Sequence, residues 1–229
     1  MTLYQYPPQT TLKRVIPKSR IYDGASVNTA LRDRFVREVD QITWEHKLAP
    51  ETLNLPATSA VPEIQVFRVT LKGDALHDDV LRAIDRAVPF PIVFELLVGE
   101  HIQTAAAYKR PSEAERGKWV LCDHLHGDWV AQDSPRKPLP VAVNLGALYY
   151  RMLSALMPIT PVPGEDVETR LERLAAIRAK EREIAQLQSK LKRESQFSIK
   201  VTLHGQLAEA QAAFDHMKDP GKTGGGNHE

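Results

Sequence analysis

Val88-Pro-Phe-Pro-Ile-Val-Phe-Glu-Leu-Leu-Val98-Gly-Glu-His-Ile-Gln-Thr-Ala-Ala-Ala-Tyr-Lys-Arg110 is the stretch whose reading decides the fold. It reads as two strands joined by a tight turn at Gly99-Glu100. The first strand is apolar almost throughout, so it belongs in the middle of a sheet covered on both faces. Glu95 interrupts it. A carboxylate there must be paired or face a cleft, and Lys109 or Arg110 on the second strand are the expected partners. A structural ion pair is expected ahead of a catalytic acid.

Upstream, Glu63 to Lys72 alternates Ile64, Val66, Arg68 and Thr70 with Gln65, Phe67, Val69 and Leu71, a strand with apolar residues on both faces. Gly73-Asp74 turns the chain into a helix of about His77 to Ala87, with Val80, Leu81, Ile84 and Val88 as its buried stripe. Before the strand, a helix capped by Asn28 or Ser26 is expected to run to about Lys47, because Leu31, Phe35, Val39 and Ile42 fall on one helical stripe. Leu48 to Pro56, with two prolines, stops it. Residues 1–27 contain Pro7, Pro8, Pro17 and Gly24 and read as an irregular arm. Lys13, Arg14, Lys18 and Arg20 on that arm are expected to be solvated, with phosphate contact as the alternative.

Downstream, strands are expected at Gly117 to His124 and Asp128 to Ala131, with a turn at Gly127 between them. A connector stiffened by Pro135, Pro138 and Pro140 leads to a helix over Asn144 to Met157, with Asn144 as its cap and a broad apolar face. Residues 28–157 therefore make an α+β core, a mixed and mostly antiparallel sheet of four or five strands covered by helices. Pro158 to Gly164 is a linker. Residues 165–217 form a helical extension, either one long helix or a hairpin, and 218–229 a disordered tail. Leu171, Leu174, Ile177, Ile184, Leu187 and Leu191 are the apolar stripe of the extension and the expected partner-binding residues. Lys180 and a change of register argue against a long parallel coiled coil and for docking on a partner or on a return segment. Phe197, Ile199, Val201 and Leu203 alternate as a strand would, but the flanking sequence favours helix.

The charge balance excludes a strongly basic nucleic-acid binder: 30 Lys and Arg against 29 Asp and Glu leave a net charge of +1, although a local patch remains allowed. The single cysteine, the absence of a secretory leader and the shortness of the apolar runs point to a cytoplasmic protein with no membrane contact. No cofactor is expected and no catalytic set is assigned. Cys122, His124 and His126 share one face of a strand, and His-x-His can chelate zinc. Four residues along a strand rise about 13 Å, so the three cannot close on one ion without a bend. Glu45-x-Lys47 matches part of a restriction-type nuclease element but lacks its acidic partner. Gly221-Lys222-Thr223 lacks the rest of a phosphate-binding loop, and no Gly-x-Ser-x-Gly elbow occurs. For nucleic acid the candidate surface is Arg68, Lys72, Tyr108, Lys109, Arg110 and Lys118, beside Trp119.

Three stretches carry a family resemblance. They are Ile16-Pro-Lys18 with Ile42-Thr-Trp44-Glu-His-Lys47-Leu-Ala-Pro50-Glu-Thr-Leu53; Glu63-Ile-Gln-Val-Phe67 through Pro91-Ile-Val-Phe94 to Ala107-Tyr108-Lys109-Arg110; and the charged helix followed by Gln196-Phe197. Over roughly residues 14–217 the chain resembles family 4391 of the domains of unknown function, found in bacteria and archaea. Members of that family tend to be encoded beside helicase and DNA-methyltransferase genes of restriction-type phage-defence loci. The resemblance implies an accessory subunit docked on such a larger protein, with contact to DNA allowed, and carries over no catalytic residue. A stand-alone nucleic-acid-binding module and a metal-dependent nuclease or hydrolase, using Glu95 with Lys109 or Cys122 with His124 and His126, are the alternatives.

Overall fold

Ile92–Val98 and His101–Pro111 pair antiparallel across Gly99 and Glu100, with Gly99 at φ 52°, a left-handed conformation that glycine adopts without strain. The computed structural model describes residues 3–74, 76–112, 114–115 and 119–218. In chain order these form β1 (Tyr4–Gln5), β2 (Thr11–Val15), α1 (Lys18–Ala25), α2 (Thr29–Glu38), β3 (Val39–Leu48), α3 (Pro50–Leu53) and β4 (Ile64–Leu71). After them come α4 (Asp78–Ala87), β5 (Ile92–Val98), β6 (His101–Pro111), β7 (Trp119–His126), β8 (Val130–Ala131), β9 (Lys137–Pro138), α5 (Leu145–Ser154), α6 (Val167–Arg193) and α7 (Phe197–Lys218). Chain packing divides at 156/157 into two compact units.

The first unit is built on a seven-stranded sheet in the order β2-β3-β4-β5-β6-β7, with β8 on β6. Within it only β4 and β5 run parallel, joined by the crossover helix α4; the other pairs are antiparallel. The α+β class and the mixed, mostly antiparallel sheet are those the sequence requires. β5 lies between β4 and β6, as a doubly apolar strand should. Its Ile92, Phe94 and Leu96 join Phe67 and Val69 of β4 under Val80, Leu81 and Ile84 of α4. Each such fully buried side chain contributes about 1.5–3 kcal/mol. Val93 and Glu95 alternate onto the opposite face.

The sheet has more strands than the four or five expected, because two segments depart from the sequence pattern. Residues 1–27, expected as an irregular arm, hold β1, β2 and α1: β2 pairs with β3 at the sheet edge, and β1 pairs with β9. The helix expected to reach Lys47 ends at Glu38, and β3 begins without a break. Two register irregularities in β3, between Val39 and Gln41 and between Trp44 and His46, account for the difference. Each bulge adds a residue, so the buried positions fall at Val39, Ile42, Glu45 and Leu48, a spacing of three that imitates a helix. β-branched Val39, Ile42 and Thr43 carry the contrary signal.

Side chains cap α2 at both ends and α5 at its start. Asn28 accepts from Leu31 N at 2.9 Å, which settles the choice the sequence leaves between Asn28 and Ser26, and Asn144 accepts from Ala147 N at 2.8 Å as expected. At the C-terminal end of α2, Lys18 Nζ donates to Phe35 O and Val39 O, and Lys72 Nζ to Val36 O. Ammonium groups there add donors to the last carbonyls of the helix and meet the negative end of its dipole.

The second unit is a helical hairpin. Asp166 caps α6 by accepting from Thr169 N at 2.8 Å. The chain breaks at residues 194–196 and returns as α7, so Phe197 to Leu203 is helix and not strand. Ile184 and Leu187 pack against Leu203, Leu207, Ala210 and Phe214. Arg173 ties the open end together: it binds Glu165 at 2.7 Å, Thr160 O at 2.7 Å and Met217 O at 3.3 Å. Its two bonds to Glu165 hold that carboxyl down at a pKa of about 2. The tail beyond Lys218, with Gly221-Lys222-Thr223, lies outside the described residues. Among the described residues no helix is long and apolar enough to cross a membrane.

Candidate functional site

Glu95 is held on the face of the sheet away from α4, and its partners are not Lys109 and Arg110. The parallel register sets Arg68 of β4 directly opposite Glu95, and Arg68 Nη2 donates to Glu95 Oε2 at 2.9 Å. Arg136, from the segment just before β9, donates to Glu95 Oε1 at 2.5 Å and to Tyr4 O at 2.9 Å. Arg68 also meets Glu45 of β3 at 3.2 Å, so two guanidiniums and two carboxylates form one connected network on this face. Lys109 lies too far along β6 to reach, because Glu95 faces Thr104 in the antiparallel register. Beside this network His46 stacks on Tyr6, with ring centroids 4.5 Å apart, and bonds Thr10 Oγ1 through Nδ1 at 3.0 Å. Burial holds the His46 pKa down at about 4, and burial with Glu95 pushes the Tyr6 phenol well up.

This arrangement decides the Glu45-x-Lys47 reading. The tripeptide lies in a strand and not at a helix end, yet its two charges part company. Glu45 is drawn to Arg68, while Lys47 binds Glu51 at 2.6 Å and Glu63 at 3.3 Å. The Arg68 guanidinium bridges Glu45 and Glu95.

On β6, Lys109 is buried, its side chain only 2% exposed. Its ammonium donates to Asp85 O, Val88 O and Phe90 O, the carbonyls that end α4 and begin the next segment. Burial pulls its pKa down to about 8 against the pull of Asp85, whose Oδ1 is 3.8 Å away, so it is charged at pH 7. Asp85 sits near the C-terminal end of α4, where a carboxylate opposes the helix dipole, and Lys109 offsets that conflict. His124 Nε2 donates to Asp85 Oδ2 at 2.8 Å. Carboxylate on imidazole is the orienting half of a general base, but both side chains are sealed, at 1% and 0% exposure. The Lys109 ammonium also lies 5.5 Å from the centroid of half-buried Trp119, so these two groups, read as part of a nucleic-acid surface, pack on each other. Tyr149 of α5 closes the cluster by donating to Ala107 O.

The other expected residues are dispersed. Tyr108 is buried and its ring lies 6.0 Å from Tyr150; Arg110 is half-buried. Arg68 is engaged by two carboxylates and Lys72 caps α2, so of the six residues expected for nucleic acid none described presents an open basic face with its neighbours. Lys118 lies outside the described residues. His124 and His126 have ring centroids 6.4 Å apart, but His126 turns to Asp78 at 3.1 Å while His124 turns to Asp85. Cys122 is half-buried, and among the described residues no three His, Cys, Asp or Glu side chains gather as metal ligands.

In the hairpin, Ile184 and Leu187, two of the expected partner-binding residues, are used against α7. Leu174 and Ile177 are buried as well, and Leu171 and Leu191 half-buried. The open apolar groups are on α7: Phe197 is 82% exposed, Val201 56% and Ile199 40%. The sequence holds a signal for this. Residues two apart on a helix point about 200° away from each other, so an alternating apolar run folded as helix must turn some of its members outward. Arg136 and Asp85 have no comparable signal, since their partners are distant in the chain.

The model of the family described as Domain of unknown function (DUF4391) matches residues 5–214, in agreement with the resemblance in the quoted stretches. No curated protein matches, and no solved structure does.

Proposed function

The chain belongs to the DUF4391 family, and from that premise we propose that it is a non-catalytic accessory subunit of a restriction-type phage-defence complex. It works in the cytoplasm, docked through its C-terminal helices on a larger subunit such as a helicase or a DNA methyltransferase. The observation that carries this reading is the exposed apolar turn of α7. Phe197 and Val201 lie one helical turn apart on one face, and a phenylalanine 82% exposed beside a valine 56% exposed is the pattern of a helix that fits a partner's groove. The ionic groups of the sheet support it from the other side: Glu45, Arg68, Glu95 and Arg136 neutralise one another, and Asp85, His124 and Lys109 are sealed. Such pairing serves architecture better than catalysis.

The test is co-purification from the native host with the full chain. Phe197→Asp with Val201→Asp should lose the larger subunit that the unsubstituted chain retains, with the helical circular dichroism signal unchanged. Removal of residues 165–229, which takes α6 and α7 and their helical signal with it, should also lose that subunit. Retention of that subunit by both variants sinks the proposal.

A further inference from the structure

Between α2 and α4 lies a groove of about 360 Å³ that none of the roles above uses. Val27 and Ala83 are buried in it and, with Ala30 and Leu31, give it an apolar lining; Arg34, Arg82 and Arg86 stand more exposed along it, with Asp79 as the one acidic lining residue. Its size suits a side chain or short segment and falls near the lower end of ligand-binding pockets.

Folding does not call for this charge pattern. Arg82 and Arg86 are four apart on one helix, where like charges disfavour the helix by a few tenths of a kcal/mol, and Arg34 faces them from α2. Their own acceptors are weak. Arg34 binds Asp79 at 2.7 Å and Arg82 binds Asp123 at 2.8 Å, but the two carboxylates are 61% and 79% exposed. Surface pairs of that kind hold by about 1 kcal/mol or less, and an incoming carboxylate can replace either. Arg86 is exposed and has no acidic partner among the described residues.

We propose that this groove is a docking site for an acidic segment of a partner protein, with an aliphatic side chain on the Val27, Ala83 and Leu31 lining and flanking carboxylates on Arg34, Arg82 and Arg86. The apolar lining separates this occupant from a nucleic-acid backbone, which offers phosphates but no aliphatic group. Three guanidiniums against the two exposed carboxylates of Asp79 and Asp123 leave positive charge for an acidic occupant, and arginine's planar fork binds carboxylates in bidentate fashion. The site is in the first unit and does not depend on the hairpin.

The experiment uses the full chain and a fluorescein-labelled peptide with a leucine between two pairs of glutamates, read by anisotropy in low salt. Saturable binding is expected, weakened at least about tenfold by Arg82→Glu with Arg86→Glu and by a peptide with serine for leucine. Ala30→Trp, which fills the groove and leaves its charge unchanged, should also abolish binding. Melting by circular dichroism confirms that the variants fold. No saturable binding to the unsubstituted chain, or binding unchanged by the arginine reversals or by Ala30→Trp, overturns the proposal. So does a DNA duplex that binds the same arginines more tightly than the peptide, which would make the groove a phosphate site.

Discussion

Replacing Lys109 by methionine keeps most of the side chain's volume and deletes its charge, and the structure sets the size of the consequence. The ammonium donates to three carbonyls around the end of α4 and stands 3.8 Å from Asp85 Oδ1, with the side chain 2% exposed. Hydrogen bonds to a charged group contribute roughly 1.5–3 kcal/mol each, while the methionine regains about 1 kcal/mol of apolar burial. Exchanging a whole buried ionic group for apolar residues is often neutral, but removing one member leaves Asp85 buried with His124 as its remaining partner. Native stability should therefore fall by about 3–5 kcal/mol, the range for a broken buried pair. In a unit of this size that is a drop in Tm of roughly 10 °C. Urea unfolding of the full chain, followed by tryptophan fluorescence, measures it. Lys109→Met combined with Asp85→Asn should cost less than the sum of the single changes by about 1 kcal/mol or more, since the two groups interact directly. A loss below about 1 kcal/mol, as expected for an exposed lysine, would refute the argument that this residue caps α4 and compensates Asp85.

Three other outcomes are expected from the geometry. His46 titrates at about 4 in the fold against 6.5 unfolded, so its contribution is fully present above pH 6.5 and is lost as pH falls toward 4. Chemical denaturation across that window should show a loss of up to about 3 kcal/mol that His46→Phe removes; equal slopes for both proteins would count against it. Glu165, held at about 2 by Arg173, contributes stability to the hairpin above pH 4.5 that disappears as pH falls toward 2, and Glu165→Gln should abolish this acid dependence of the helical signal. A Cβ at Gly24 would stand 3.0 Å from Ala87 Cβ, so Gly24→Ala should force α1 off α4 and cost about 1–3 kcal/mol by thermal melting, despite alanine's better helix propensity.

The sequence by itself determined the features that depend on neighbours along the chain. The apolar run of Ile92 to Val98 specified a central strand, Gly99 its turn, Asn144 the cap of α5, and the stripe of Val80, Leu81 and Ile84 a helix over the sheet. It also made the chain beyond Gly164 helical. Where the pattern failed it failed locally: bulges in β3 changed the burial period from two to three, so a strand carries a helical spacing. Only the tertiary structure decided the partners of the charged groups. Electrostatic and hydrogen-bond energy depends on distance in space, and the fold brings Arg136 to Glu95 and Lys109 to Asp85 across 41 and 24 residues of chain. It thereby turned Lys72, Lys109 and Arg68 from an expected basic surface into two helix caps and an ion-pair bridge. It likewise chose which side of the C-terminal helices is consumed by the hairpin and which, at Phe197 and Val201, remains open.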